Sequence, residues 1–154
     1  MPTPRQVAAL PLRRAKNGAL KILLVTSRET GRWIIPKGWS SKRMSNGKAA
    51  AREAKQEAGV EGRITPKAIG RYRYIKRELG QSSPVEVAVY LLSVKKQWKR
   101  WPEKRERRRA WFYIAEAAAK VDEPELASLI YALQVTFVRW TLAHLRKTNP
   151  AGEV

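Results

Sequence analysis

Lys48 to Ala58 is built almost wholly from Ala, Glu, Lys, Arg and Gln, all strong helix formers, and it stops at Gly59, a residue suited to a left-handed helix end. Stretches that lean toward strand lie on both sides. Upstream are Gln6 to Leu12, the apolar run Leu20 to Val25 after an Asn17-Gly18 turn signal, and Trp33-Ile34-Ile35. Downstream are Val60 to Arg77, with its alternating Arg71-Tyr72-Arg73-Tyr74, a turn over Gly80 to Pro84, Val85 to Leu91, and Trp111-Phe112-Tyr113. A helix enclosed between strands restricts the chain to a mixed α/β class.

A second helix is expected at the C-terminus. Asp122-Glu123-Pro124 opens it with acids and a proline in the first turn. Leu126, Leu129, Ile130, Leu133, Phe137, Trp140 and Leu145 then recur at helical spacing, which predicts a long helix packing one face on the body. The basic connection Lys95 to Arg109 carries Trp98 and Trp101, and Arg13 to Lys16 is read as a basic loop between the first two strands. At 154 residues the chain is expected to form one domain, 1–154, around a single core.

Side-chain scarcity removes several chemistries. There is no cysteine, so thiol nucleophiles, disulfides and cysteine-ligated zinc are excluded. His144 is the one histidine and Asp122 the one aspartate, which leaves little for a Ser-His-Asp triad and nothing for a multi-histidine zinc site. Glutamate remains, and glutamate with a hard cation points to Mg²⁺ or Mn²⁺ acting on phosphates. Lys and Arg outnumber Asp and Glu by 32 to 13, a net charge of +19 that favours anionic partners: nucleic acid, an acidic surface or a polyphosphate. No secretory h-region or membrane-spanning apolar stretch is visible, so a cytoplasmic protein without a membrane partner is expected.

The chemistry concentrates between Gly38 and Val60. Glu53 and Glu57 stand four residues apart on one helical face, with Cβ atoms about 5–6 Å apart, so both carboxylates can reach one metal centre. Gln56 can add an amide oxygen to the metal site, and Arg52 is a candidate to anchor the helix by a salt bridge. The Pro36-Lys37-Gly38 loop offers an ammonium and free backbone to phosphate.

This segment resembles the Nudix box, G-x5-E-x7-R-E-U-x-E-E-x-G-U with U a bulky aliphatic residue. Gly38, Arg52, Glu53, Glu57, Gly59 and Val60 fall at the matching separations, while Met44, Ala54 and Gln56 depart from the pattern. Val25-Thr26-Ser27-Arg28, Arg32 to Pro36, Trp101-Pro102-Glu103 and Arg107 to Phe112 also look similar to the diphosphoinositol polyphosphate phosphohydrolase branch of that superfamily. The resemblance implies an α/β/α sandwich with a mixed sheet, the box as a loop–helix–loop, and a metal-dependent pyrophosphohydrolase that cuts a phosphoanhydride bond in a diphosphoinositol polyphosphate or dinucleoside polyphosphate. It implies Glu53, Glu57, Gln56 and the Gly38 carbonyl as metal ligands, with Glu53 or a nearby acid as base and Arg52 beside them. Glu86, Glu103 and Glu106 are open candidates for a further acid.

Candidate substrate cations are Arg13, Arg14, Arg28, Arg32, Lys37, Arg107 and Arg109, the last two on one strand face if both lie in a strand. Trp39 is the candidate for stacking on a base, whereas Trp33 and Trp111 are expected in the core. The competing reading is a Nudix-fold protein that binds RNA or another polyanion with weakened catalysis, motivated by Gln56, Met44 and the +19 charge.

Overall fold

The computed structural model describes residues 3–135. Phe137, Trp140, His144 and Leu145 lie outside them. The strands are β1 (Arg5–Arg14), β2 (Leu20–Thr26), β3 (Trp33–Ile34), β4 (Lys37–Trp39), β5 (Val60–Ile64), β6 (Gly70–Glu78), β7 (Gln81–Gln97) and β8 (Arg109–Tyr113). The helices are α1 (Asn46–Ala58), α2 (Ile114–Lys120) and α3, described over 124–135. None is long and apolar enough to cross a membrane.

The strands form one mixed sheet. β1 and β7 run parallel, with Arg5 opposite Glu86 and Leu12 opposite Ser93, and the other pairs are antiparallel. β1 and β2 pair only through Leu12 to Arg14 and Leu20 to Ile22, then diverge. The segment 33–39 fills the gap: β3 pairs with the far half of β2, and β4 pairs with the near half of β1. This wedge carries Lys37 and Gly38 into the opening between the strands.

Alternation along β1 separates two cores. Ala8 and Leu10 face Ile114, Ala117, Leu126 and Ile130 of α2 and α3. Val7 and Ala9 face Ala49, Ala50, Ala54 and Ala58 of α1. The sheet is thus covered on both faces, which is the expected α/β/α sandwich. Ala54, smaller than the aliphatic residue of the box, is fully buried in a row of alanines that lets α1 lie close to the sheet.

α1 begins two residues earlier than its composition suggests, at Asn46, because Ser45 caps it, accepting a hydrogen bond from the Lys48 amide at 3.4 Å. It ends as expected at Gly59, whose φ of 66° is the left-handed cap. Trp33 packs against the α2/α3 core and meets Phe112 edge-on at 5.1 Å, and Trp111 packs on the α1 side.

Three features differ from the expectations. Arg13 and Arg14 lie at the end of β1, so the loop between the first strands is residues 15–19 and not Arg13 to Lys16. α2 was unforeseen, since it follows β8 directly with no Ser, Thr, Asp or Asn at its start; Glu116 instead accepts from the Tyr113 amide at 3.3 Å. The Gly80 to Pro84 turn is a tight β6–β7 hairpin at Leu79-Gly80, with Pro84 inside β7 opposite Ile75. Both turn residues have positive φ, 50° and 74°, the geometry that favours Asn-Gly. Leu79 is fully exposed and gains nothing there. Leu79→Asn is expected to stabilise the fold by about 1 kcal/mol, raising the melting temperature by about 3 °C in calorimetry.

Candidate active site

A cleft of about 900 Å³ opens over the β1–β2 divergence, and Glu53, Glu57, Lys37 and Gly38 line it. Glu57 is 4% exposed. Its Oε2 accepts the Lys37 backbone N–H at 3.1 Å, and its Oε1 pairs with Arg107 Nη2 at 3.2 Å. Arg107 is itself buried; its Nε donates to Glu103 at 2.8 Å and its Nη1 to the Thr26 carbonyl at 3.0 Å. Burial pushes the Glu57 carboxyl up to about 7, against the pull of Arg107 and the Lys37 amide, with the Glu53 charge adding to the rise. Burial also raises Glu53, Arg52 opposes it, and Glu103 adds to it. Three carboxylates therefore share one region, and the Arg107 guanidinium ties two of them, Glu57 and Glu103, together.

Gly38 has a steric role. A Cβ built there would overlap the Glu53 carboxyl, so only glycine lets the wedge loop and the α1 side chain approach this closely. Burial pulls the Lys37 ammonium below its usual range, while the charges of Glu57 and Glu123 oppose that shift.

The basic connection before β8 holds the end of α1. The last carbonyls of a helix lack intrahelical partners, and here four are satisfied from outside. Gln56 O accepts from the Glu103 amide at 3.2 Å, Glu57 O from the Trp101 indole at 3.0 Å, Ala58 O from Arg109 Nη1 at 2.7 Å, and Gly59 O from the Trp98 amide at 2.8 Å. Arg109 also stacks over Trp101 at 3.7 Å, placing a cation at the negative end of the helix. Glu57 is thereby fixed from both its side chain and its backbone.

The expected residues divide accordingly. Glu53, Glu57, Gly38, Lys37, Trp39, Arg28, Arg32 and Arg107 all line the cleft. Arg28 is paired with Glu106 at 3.5 Å, and Arg32 with Glu123 at 3.0 Å and Asp122 at 3.6 Å. Trp39 is 49% exposed with Lys76 over its ring. Gln56 and Arg52 are exposed, do not line the cleft, and Arg52 makes no salt bridge among the described residues.

Arg13, Arg14 and Arg109 lie outside the cleft. Arg13 stacks over Trp111 and bonds to Gln97, and Arg109 serves the α1 cap described above. Arg107 precedes β8, so the two arginines do not share a strand face. Among the acids left open, Glu103 is in the cleft, while Glu86 is held by Arg71 at 2.6 Å away from it and Glu106 by Arg28. Arg73, Arg77 and Glu123 also line the cleft and were missed. The Arg71-Tyr72-Arg73-Tyr74 alternation showed a two-faced strand without showing which part fronts the cleft.

A model of the NUDIX domain matches residues 2–133. Nudix hydrolase 16, mitochondrial, of Arabidopsis thaliana is 31% identical over 125 residues, covering 79% of this chain and 67% of that protein. Diphosphoinositol polyphosphate phosphohydrolase 3-alpha of Homo sapiens is 33% identical over 98 residues, covering 62% of this chain and 56% of that protein. The chain spans about half the length of most such curated relatives. A C. elegans Ap4A hydrolase binary complex has a TM-score of 0.64 at 20% identity, over 88% of this chain and 98% of that one, a likeness of fold. The box spacing, the sandwich and these similarities agree: the chain belongs to the Nudix family.

Proposed function

We propose that the protein is a divalent-metal-dependent hydrolase that cuts a phosphoanhydride bond in a polyphosphorylated small molecule of the dinucleoside or diphosphoinositol polyphosphate type. One observation carries this reading: Glu53 and Glu57 open on the same cleft, beside a glycine that Glu53 needs to be there. The relatives named as Nudix hydrolases support it.

The donor set fits Mg²⁺ or Mn²⁺. It is all oxygen, and desolvation has raised both carboxylates, so a second cation beside Arg107 would be welcomed. No group of three acidic, histidine or cysteine side chains forms a closed cage among the described residues. An open pair of carboxylates, completed by water and substrate phosphate oxygens, is how Mg²⁺ is commonly held. Glu53, Glu57 and the Gly38 carbonyl are the ligands on this reading. When bound, the ion makes water more acidic and offsets charge on the phosphates.

The protein side chains supply the rest. Arg107 keeps Glu57 and Glu103 in place and neutralises the surplus negative charge. Lys37, Arg73 and Arg77 present cations to the phosphates. Glu53, the more solvent-accessible of the pair, is the candidate to take a proton from attacking water.

Gly38→Ala separates this role from stability. The clash falls on the end of a flexible side chain, so the melting temperature is expected to move by less than about 2 °C while Glu53 is displaced and kcat falls at least about tenfold. An unchanged kcat would show that Glu53 needs no place beside Gly38.

The function is tested by incubating the protein with Mg²⁺ or Mn²⁺ and dinucleoside polyphosphates, nucleotide sugars, triphosphorylated RNA and diphosphoinositols. Phosphate-containing products that vanish with EDTA are expected. Salt-sensitive RNA binding with no turnover of any compound would replace this reading with the polyanion-binding one.

A further inference from the structure

The arginines at the phosphate cleft are largely matched by acids: Arg28 by Glu106, Arg32 by Glu123, and Arg107 by Glu57 and Glu103. The end of β7 and the connection to β8 are different. Residues 95–105 carry six cations, Lys95, Lys96, Lys99, Arg100, Lys104 and Arg105, against one acid. That acid, Glu103, is turned inward onto Arg107. All six cations are exposed, and none forms a salt bridge among the described residues. Like charges gathered on one surface repel each other and attract an anionic partner.

Aromatic rings are interleaved with these cations. Trp98 and Trp101 line a hollow of about 220 Å³ together with Lys55, Arg100 and Pro102. None of these residues lines the catalytic cleft. Lys55 stands two residues from Glu53 and two from Glu57 on α1, which turns it about 200° away from them around the helix axis. Trp101 serves the α1 cap, but the Trp98 side chain belongs to neither core and is 37% exposed. Its indole donates to Glu61 Oε2 at 2.6 Å, Glu61 pairs with Lys55 at 3.3 Å, and Lys96 lies over the ring at 3.5 Å. The ring is thus held at the surface before any ligand arrives.

The hollow is smaller than the roughly 300–1,000 Å³ of sites that enclose a whole small molecule, so it suits one flat ring with the rest of the ligand outside. An acidic peptide or a lipid headgroup would answer the charge and leave the indoles unused. A single-stranded nucleic acid alternates phosphates with flat rings, which is the pattern of this surface. We propose that the outer face of residues 95–105 binds single-stranded nucleic acid, with one base in the Trp98/Trp101 hollow and the flanking phosphates on Arg100 and its neighbouring cations. This site is separate from the cleft, and its occupation does not depend on hydrolysis there.

The probe is a short oligothymidylate with a 5′-hydroxyl, which offers the cleft no phosphoanhydride; an abasic strand of equal length supplies the same phosphates without rings. Fluorescence anisotropy in EDTA, over a range of salt, reads both. Wild type is expected to bind the thymidylate at least about tenfold more tightly than the abasic strand. Trp98→Ala is expected to remove that preference and leave the salt slope unchanged. The substitution keeps the backbone bonds from Trp98 to Gly59 and Arg109. Arg100→Ala is expected to weaken both strands and to reduce the slope of log K against log salt by about 0.7.

Equal wild-type affinity for the two strands would overturn the proposal, and that comparison needs no variant. Thymidylate binding unchanged in both Trp98→Ala and Arg100→Ala but lost in Arg73→Ala would place the strand in the cleft and overturn it too. So would binding of polyglutamate or of phosphatidylserine vesicles with the same dependence on Trp98, since the surface would then recognise charge without rings.

Discussion

Glu57→Gln is expected to lower kcat by about 10³-fold while leaving the metal-free protein at least as heat-stable as wild type above pH 7. The two halves come from one cause. Burial raises Glu57 from 4.5 to about 7, which means the folded protein holds its carboxylate charged at a cost. Between those values the folded state binds a proton that the unfolded state has released. Stability from this group is therefore full below about 4.5, falls as pH rises toward 7, and levels off above it. Gln removes the ionisation and should flatten that slope. Scanning calorimetry in EDTA at pH 5, 6, 7 and 8 checks it; a variant that melts well below wild type at pH 8 would show that the Arg107 pair outweighs the burial cost.

Arg107→Ala is expected to be the most destabilising substitution in the cleft. It removes the one guanidinium that satisfies Glu57, Glu103 and the Thr26 carbonyl together. Breaking a buried ion pair from one side costs about 3–5 kcal/mol because a charge is left without compensation. For a chain of this size that is about 10 °C in melting temperature. The loss should shrink near pH 5.5, where Glu57 takes up a proton. Adding Glu57→Gln should restore part of it, and a double-mutant cycle reads the coupling directly. Additive losses would mean that the pair contributes nothing as a pair.

What the chain made legible follows from how local each signal is. α1 was readable because its composition, its alanine face and Gly59 all lie within fifteen residues, and the Glu53–Glu57 spacing is fixed by helix geometry alone. The alternation Arg71-Tyr72-Arg73-Tyr74 was readable as a two-faced strand, whereas β1 is apolar on both faces and did not show which of its residues meet which helix layer. α2 was hidden because Ile114 to Lys120 follows β8 without a break and takes its cap from Tyr113, an unusual capping residue. The hairpin was misplaced because Leu79 sits at a positive φ that leucine rarely adopts.

Charge was the least legible property. Arg13, Arg107 and Arg109 look alike in sequence, yet one stacks on Trp111, one binds two carboxylates and one caps a helix. Those partners lie tens of residues away, and only the fold brings them together.

The central claim is that two glutamates one helical turn apart hold a hard cation at the polyphosphate end of the cleft. Mn²⁺ titration followed by electron paramagnetic resonance tests it without any substrate or turnover. Wild type is expected to take up Mn²⁺ at a site weakened at least about tenfold by Glu53→Gln and by Glu57→Gln, and left intact by Glu106→Gln, whose carboxylate pairs with Arg28. Identical Mn²⁺ binding curves for wild type and both α1 variants would contradict the account.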